Sequence, residues 1–238
     1  MSQVVENYKK VLKRIEEAAN RSGRNKEEIK LVAVAKTFPP EVVRELSIFE
    51  DVIIGENRVQ EAISKKEALS DLNFKWHMIG HLQSNKAKKA VETFDMIHSV
   101  HSKKLLRKLE TQAEKINKKM DVLIEINIGR EENKSGLMVE EVDEILNEAI
   151  NLKFISVKGF MCIPPFAERA EDSRKYFRKM KELLTEKSKK YPQLNLIHLS
   201  MGMTMDFEVA IEEGATYVRV GTAIFGFREE VCRVRYNL

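Results

Sequence analysis

The stretch Lys30-Leu31-Val32-Ala33-Val34-Ala35-Lys36, followed shortly by Pro39-Pro40, begins the pattern on which the fold prediction rests. Its five consecutive apolar residues are typical of a buried parallel strand, and the two prolines prevent the strand from continuing. Lys36 therefore stands at the end of the predicted strand. Before this stretch, residues 4–19 carry apolar side chains at helical spacing, which predicts an additional N-terminal helix.

After residue 40, short apolar runs alternate with amphipathic segments. Further strands are predicted at residues 52–54, 75–79, 96–99, 122–128, 156–161, 194–199 and 217–220. The helices between them are predicted at residues 41–49, 58–68, 85–93, 103–117, 139–150, 171–187 and 207–213. Strict alternation predicts a parallel sheet with crossover helices.

Eight strands in 238 residues favour an α/β fold with a single (β/α)8 barrel of the TIM type over an open doubly wound sheet. No G-x-G-x-x-G motif follows the first strand, which argues against a dinucleotide-binding unit. No linker rich in Pro, Gly or Ser divides the chain, so one domain is predicted over residues 1–238.

The composition restricts the class of protein. Apolar residues make up 43% of the chain, which argues against disorder, and 41 basic against 37 acidic residues leave a net charge of only +4. The basic stretch at residues 85–89 falls on a predicted helix and is expected to be its solvated face, so no nucleic-acid partner is predicted. Two isolated cysteines, Cys162 and Cys232, and the absence of an apolar leader or membrane span predict a cytoplasmic protein.

In such barrels the functional groups lie at the carboxyl ends of the strands and in the loops that follow. Lys36 has two interpretations there. Its side chain could simply leave the core for solvent, or it could be an amine in a partly desolvated barrel mouth that attacks a carbonyl carbon.

The loops after the last two predicted strands combine glycine with hydroxyl side chains. They are Ser200-Met201-Gly202-Met203-Thr204 and Gly221-Thr222-Ala223. Glycine allows the backbone to approach an anion closely, and phosphate sites built from loops seven and eight recur in barrel enzymes. Together the two loops predict a phosphorylated ligand.

Several other polar residues have open alternatives. Arg219 lies inside an apolar strand and needs a partner, which could be a buried carboxylate such as Glu125 or Glu56, or an acceptor on a ligand in the barrel mouth. Asn57 and Ser84 lie in polar loops after strands two and three, where each could line a site or cap a helix.

Histidine spacing does not predict a metal site. His77 and His81 are four residues apart, but they lie on a strand and its following loop, so the helical geometry of a zinc pair does not apply, even with His98 or His101 added. The charged segment at residues 127–136 is long for a connection between strand and helix. We expect it to form a mobile rim over the barrel mouth.

Seven collinear stretches give the chain a wider resemblance. They are AVAKTFP, IGENRVQEA, WHMIGHLQSNKAK, INIGREENKSG, GFMCIPP, LSMGMTMDFEVAI and VRVGTAIFG, between about residues 31 and 226. With these stretches the chain resembles the pyridoxal 5'-phosphate homeostasis proteins. That family is related to the barrel domain of alanine racemase, in the fold-type III group of pyridoxal-phosphate proteins.

The resemblance implies roles for individual residues. Lys36 matches the lysine that forms a Schiff base with pyridoxal 5'-phosphate, and Arg219 matches the arginine that faces the pyridine nitrogen. The remaining cofactor contacts implied are Asn57 near the ring, Met203 in the seventh loop, and Ser200, Gly221 and Thr222 at the phosphate. The family commonly has serine where this chain has Ala35 and Thr204, and an aromatic residue where it has Met78.

The resemblance implies a protein that stores and delivers pyridoxal 5'-phosphate without robust turnover, as a monomer, with PLP-dependent apoenzymes as possible transient acceptors. A fixed cation at Arg219 would discourage protonation of the ring and weaken it as an electron sink, which agrees with this expectation. The alternative is a PLP-dependent amino-acid racemase or lyase.

Overall fold

The computed structural model describes residues 2–226, so Cys232 lies outside the described residues. The strands are β1 (Lys30–Val34), β2 (Ile53–Glu56), β3 (Lys75–Met78), β4 (Met96–Val100), β5 (Met120–Glu125), β6 (Ile155–Met161), β7 (His198–Ser200) and β8 (Tyr217–Val220). The helices are α1 (Gln3–Arg21), α2 (Pro40–Arg44), α3 (Val59–Ala68), α4 (Ala87–Thr93), α5 (Lys103–Lys115), α6 (Val142–Ala149), α7 (Arg174–Lys190), α8 (Phe207–Glu212) and α9 (Thr222–Phe225).

The eight strands form a closed parallel barrel in which each strand pairs with the next one along the chain. The barrel closes where β8 pairs with β1, with Lys30 opposite Tyr217 and Val32 opposite Arg219. The predicted (β/α)8 barrel with an extra N-terminal helix is therefore confirmed. Because β1 and β8 are neighbours, the loop that carries Lys36 lies beside the loop that begins at Gly221.

Some predicted bounds are wrong for local reasons. Strand β1 ends at Val34, and Lys36 lies in the turn that follows. A hydrogen bond of 3.1 Å from the Phe38 amide to the Ala35 carbonyl closes this turn. The predicted helix at residues 41–49 is α2 followed by a 3-10 segment. The predicted strand at residues 194–199 is shortened to β7, because Pro192 begins a 3-10 turn and Asn195 takes a φ of 51°.

The barrel has two packed layers. The interior is filled by a small apolar cluster that lies between polar side chains, and its members are Val32, Val34, Ile53, Ile79, Met96, Leu123, Met161 and Tyr217. The larger core lies between the strands and the helices, where Trp76, Phe94, Phe160, Phe177 and Phe207 are the largest fully buried side chains. Alternate residues of each strand thus face the two layers.

The extra helix α1 packs against the last part of the barrel. Arg14 forms two bonds to the carboxylate of Glu208 on α8, at 2.8 and 2.9 Å, and the side-chain amide of Asn7 donates to the carbonyl of Ile224 at 3.1 Å. This helix therefore supports α9, which begins at Thr222. None of the helices in residues 2–226 has the length and apolarity needed to cross a membrane.

Candidate functional site

A cavity of about 330 Å³ opens at the carboxyl ends of β1, β2, β6, β7 and β8. Its apolar wall consists of Val34, Ile79, Ile163, Pro164, Pro165, Phe166, Ala167, Ala170, Met203 and Met205. The polar lining residues are Lys36, Asn57, Ser173, Thr204, Asp206, Arg219 and Thr222, with Gly221 between the last two. The cavity thus brings together six of the seven predicted site residues.

Lys36 lines this cavity from the turn after β1 and is exposed to solvent there. The turn is held from behind by a buried ion pair, because the Lys65 ammonium bonds both to the Glu56 carboxylate at 2.5 Å and to the Ala35 carbonyl at 2.6 Å. Thr37 follows with a φ of 68°, a rare conformation for a β-branched residue. The backbone position of Lys36 is therefore set by tertiary contacts as well as by the strand.

The loops after β7 and β8 meet on the other side of the cavity. The hydroxyl groups of Thr222 and Thr204 lie 3.1 Å apart, and Gly221 lines the wall beside them. Gly202 allows this approach, since its φ is +88° and a Cβ there would lie 2.5 Å from the Cβ of Ala210. Two hydroxyl groups at one edge are a suitable site for an anion.

Met203 and Asp206 complete this edge. Met203 is 37% exposed and lines the cavity, and its backbone amide donates to the Asp206 carboxylate at 2.7 Å. Because the Asp206 side chain is buried, its bond to this amide fixes the conformation of the loop. Thr204 belongs to the loop predicted to bind phosphate but was not singled out as a contact, and Asp206, in the same quoted stretch LSMGMTMDFEVAI, was not predicted as a site residue.

Ser200 lies elsewhere than expected. Its side chain is fully buried in the barrel interior and does not line the cavity. Its oxygen accepts from Nη1 of Arg219 at 2.7 Å and lies 2.9 Å from Nδ1 of His98. The geometry therefore does not favour a direct contact between this hydroxyl and a phosphate in the cavity. In the same loop, the Thr204 hydroxyl is better placed for such a contact, because Thr204 lines the cavity.

Arg219 lines the cavity although it is only 4% exposed. Besides Ser200, its guanidinium donates from Nη2 to the Cys162 carbonyl at 2.9 Å. Neither predicted carboxylate pairs with it among the described residues: Glu56 is bonded to Lys65, and the buried Glu125 has an oxygen, Oε2, without a hydrogen-bond partner. Burial raises the pKa of Glu125 to about 7, against the lowering effect of Arg219.

Asn57 lies between this cavity and a second one of about 380 Å³. The second cavity is lined mainly by the loops after β2 and β3, including Arg58, His81 and Lys86. Helix α3 begins after Arg58, so Asn57 is not its cap, and the cap of the 3-10 segment at Ser84 is Gln83. The cap interpretations of Asn57 and Ser84 are therefore wrong.

Four of the five histidines form two separate pairs. Nδ1 of His77 lies 3.0 Å from Nε2 of His98 in the barrel interior, whereas the rings of His81 and His101 stack at 4.3 Å near the surface. Burial lowers the pKa of His77 to about 3 and that of His98 well below its usual range. No group of three or more His, Cys, Asp or Glu residues in the described part of the chain is arranged to hold a metal ion.

The segment at residues 127–136 lies at the rim of both cavities. The Lys134 ammonium donates to the Pro164 carbonyl at 3.0 Å, and the Ser135 hydroxyl lies 2.9 Å from Nδ1 of His81. Pro164 lines the first cavity and His81 the second. The position at the rim agrees with the expectation, and the mobility of the segment stays a prediction.

Comparison with known proteins identifies the family of the chain. Residues 7–229 match the family described as alanine racemase, N-terminal domain. The pyridoxal phosphate homeostasis protein of Aquifex aeolicus is 47% identical over 224 residues, which cover 94% of this chain and 98% of that protein. The chain belongs to the pyridoxal phosphate homeostasis protein family.

Solved structures of similar proteins have the same barrel. PipY of Synechococcus elongatus without pyridoxal phosphate has a TM-score of 0.81 at 36% identity, covering 89% of this chain and 99% of PipY. PipY with pyridoxal phosphate bound has a TM-score of 0.79 at 35% identity, covering 90% and 100%. The family suggested by the seven sequence stretches is therefore confirmed.

More distant structures share the fold alone. Alanine racemase of Clostridium difficile has a TM-score of 0.67 at 16% identity, and the match covers 90% of this chain but only 55% of the racemase. In fold, this chain therefore corresponds to about half of that longer enzyme.

Proposed function

We propose that the first cavity holds pyridoxal 5'-phosphate, linked as a Schiff base to the Nζ atom of Lys36, and that the chain stores and delivers this cofactor within the cell. The observation that carries the proposal is that Lys36, Arg219 and the pair Thr204 and Thr222 line one cavity. The same cofactor is bound to PipY, whose barrel this chain shares.

The residues of the cavity fit the chemical groups of this cofactor. A flat ring needs apolar walls, which Val34, Ile79 and Met203 supply. A phosphate needs hydroxyl and backbone donors, which Thr204, Thr222 and the loop at Gly221 can offer. A pyridine nitrogen can accept from Arg219, and the aldehyde can condense with Lys36.

When bound, the cofactor supplies an electrophilic carbon and a ring that withdraws electrons. Arg219 limits this second property. Its guanidinium remains charged and is held by Ser200 and the Cys162 carbonyl, so a ring nitrogen that accepts from it would be kept from binding a proton. A weaker electron sink favours storage of the cofactor over carbanion chemistry.

The other lining residues agree with a carrier. Within residues 2–226, no His, Tyr or Cys side chain lines this cavity, and Asp206 is engaged by the Met203 amide. Besides Lys36, the described lining therefore offers no second acid or base for proton transfer at a substrate carbon, which supports delivery of the intact cofactor rather than turnover.

Binding and delivery can be tested separately. We expect purified protein to take up pyridoxal 5'-phosphate with the visible absorbance of an imine, and Lys36→Ala to lose this absorbance. Lys86→Ala is the matched control, because Lys86 lines the neighbouring cavity. Equal absorbance in the wild type and the Lys36 variant would contradict the proposed linkage.

Delivery is measured by adding the loaded protein to a PLP-dependent apoenzyme in the presence of a phosphatase that destroys free cofactor. We expect the loaded wild type to activate the apoenzyme under conditions where the same amount of free cofactor does not. Identical activation by both would contradict a role in delivery.

A further inference from the structure

A chain of polar side chains crosses the barrel interior beneath the cavity. It runs from His77 through His98 and Ser200 to Arg219, with successive distances of 3.0, 2.9 and 2.7 Å. His98 and Ser200 are fully buried, and His77 and Arg219 are each 4% exposed. These residues come from β3, β4, β7 and β8, so the chain links four strands of the barrel.

The chemistry of the groups gives the chain a direction. A guanidinium can only donate, so the oxygen of Ser200 accepts from Arg219. Its hydroxyl proton is then available to Nδ1 of His98, and the described residues offer it no other acceptor. His98 in this tautomer carries its proton on Nε2 and donates it to Nδ1 of His77.

Both imidazoles are neutral in this arrangement. Burial is the main cause that lowers the pKa of each, and for His98 the neighbouring Arg219 acts in the same direction. A neutral His98 can accept from Ser200 and donate to His77 at the same time, whereas a protonated His98 could only donate. Among the four hydrogen-bonded side chains from His77 to Arg219, the single positive charge therefore resides on Arg219.

Two fixed contacts then determine how the guanidinium lies. Nη1 is bonded to the Ser200 oxygen, whose hydroxyl is oriented by His98, and Nη2 is bonded to the Cys162 carbonyl. The planar group cannot rotate about its axis without breaking one of these bonds. The remaining N–H groups are thereby aimed in a fixed direction, and Arg219 is a wall of the cavity.

We propose that Ser200 and His98 are positioning residues that orient the Arg219 guanidinium and thereby hold the ring nitrogen of the bound heteroaromatic aldehyde unprotonated. His77 ends the chain and fixes the tautomer of His98. The part that concerns the ring nitrogen rests on the proposed function, whereas the orientation of the guanidinium is a property of the protein without cofactor.

The variants are Ser200→Ala, His98→Phe and His98→Asn. The alanine removes the oxygen that joins both neighbours, and phenylalanine keeps the ring but not the acceptor. Asparagine places an amide oxygen near the position of Nδ1 and is expected to restore the bond to Ser200. His198→Gln is the matched control. Like His98, His198 packs edge-on against the Tyr217 ring, but its Nδ1 is bonded to Thr216 and takes no part in the series of hydrogen bonds from His77 to Arg219.

The first measurement uses the protein without cofactor. Side-chain nitrogen NMR, with the Arg219 signals assigned by their loss in Arg219→Lys, reports rotation about the bonds from Cζ to Nη1 and Nη2. We expect slow rotation in the wild type, His98→Asn and His198→Gln, and rotation at least tenfold faster in Ser200→Ala and His98→Phe. Equal rotation rates in all five proteins would overturn the positioning role, whether or not cofactor binds.

The second measurement uses pyridoxal 5'-phosphate labelled with ¹⁵N in its ring. We expect the ring nitrogen to remain unprotonated across neutral pH in the wild type, in His98→Asn and in His198→Gln. In Ser200→Ala and His98→Phe, it should bind a proton at higher pH, with cofactor affinity lowered about tenfold, as expected for one weakened hydrogen bond.

The outcomes separate the two proposals. A wild type that fails to bind the labelled cofactor contradicts the proposed function but leaves the guanidinium result intact. Faster guanidinium rotation with an unchanged nitrogen signal in the bound cofactor would overturn the proposed effect on the ring. Thermal unfolding of each variant identifies any loss of fold, and if Ser200→Ala does not fold, the comparison of His98→Phe with His98→Asn decides the question.

Discussion

Arg219 donates to the hydroxyl oxygen of Ser200 over 2.7 Å, in the interior of the barrel and directly beneath the cavity that Lys36 lines. Ser200 is neutral, and so is the second partner, the Cys162 carbonyl. No ion pair neutralises this guanidinium among the described residues. A buried cation without a paired carboxylate is costly, and an acceptor on a ligand would stabilise it.

The paired hydroxyls of Thr204 and Thr222 should bind the phosphate of the cofactor. We expect Thr204→Val and Thr222→Val each to weaken pyridoxal 5'-phosphate binding about tenfold or more, because one hydrogen bond to a charged group is lost. Binding of pyridoxal, which has no phosphate, should change little. Thr185→Val on the exposed face of α7 is the control, and equal losses for both ligands would show that the threonines do not contact the phosphate.

Glu125 should make the stability of the protein without cofactor depend on pH. Burial raises the pKa of its carboxyl to about 7, so the folded state holds a proton that the unfolded chain releases. The stability that this proton gives the folded state is fully present below the usual pKa range of a glutamate carboxyl and is lost as the pH rises through 7. The corresponding loss in the free energy of unfolding is about 3 kcal/mol.

Glu125→Gln cannot ionise and should therefore gain stability relative to the wild type between pH 5 and pH 8. The measurement is the free energy of unfolding of both proteins at the two pH values, with the exposed Glu132→Gln as the control. Parallel pH dependence of the wild type and Glu125→Gln would mean that the carboxyl is already ionised at pH 5.

The buried pair of Lys65 and Glu56 should stabilise the turn that carries Lys36. Lys65→Met leaves the Glu56 carboxylate buried without its cation, and we expect a loss of about 3–5 kcal/mol in the free energy of unfolding. The double variant with Glu56→Leu should recover most of that loss. A single variant as stable as the wild type in denaturant unfolding would show that the pair contributes little.

Amino acids should not be turned over by the loaded protein. With Arg219 opposite the ring nitrogen, exchange of the α-proton of single amino-acid enantiomers in deuterated water should be no faster than with free pyridoxal 5'-phosphate. Proton NMR measures this exchange directly. Rapid exchange that depends on the protein would support a racemase or lyase instead.

The fold was accessible from the sequence because its signal repeats. Each strand is a short apolar run and each helix has its own amphipathic spacing. An error in the predicted end of one strand or helix therefore does not change the predicted number of strand-helix repeats. The bounds that failed depend on local breaks: the strand predicted at residues 194–199 is shortened by the turn at Pro192 and by the left-handed Asn195. Such breaks interrupt hydrogen bonding without changing the pattern of apolar residues.

The site was accessible only in part. Lys36, Asn57, Arg219 and Thr222 line the cavity. The strand pattern placed them at or near strand ends, whereas their individual roles were implied by the family resemblance. The role of Ser200 could not be predicted, since its neighbour His98 is 102 residues away and meets it only across the closed barrel. The direction of a side chain at a strand end depends on register, which the pattern does not specify to one residue.

Borohydride reduction of the protein loaded with pyridoxal 5'-phosphate shows which amine carries the cofactor. Reduction converts the imine to a stable secondary amine, which peptide mapping by mass spectrometry locates on a single lysine. We expect the pyridoxyl group to be recovered on Lys36. Recovery on other lysines, with Lys36 unmodified, would contradict it.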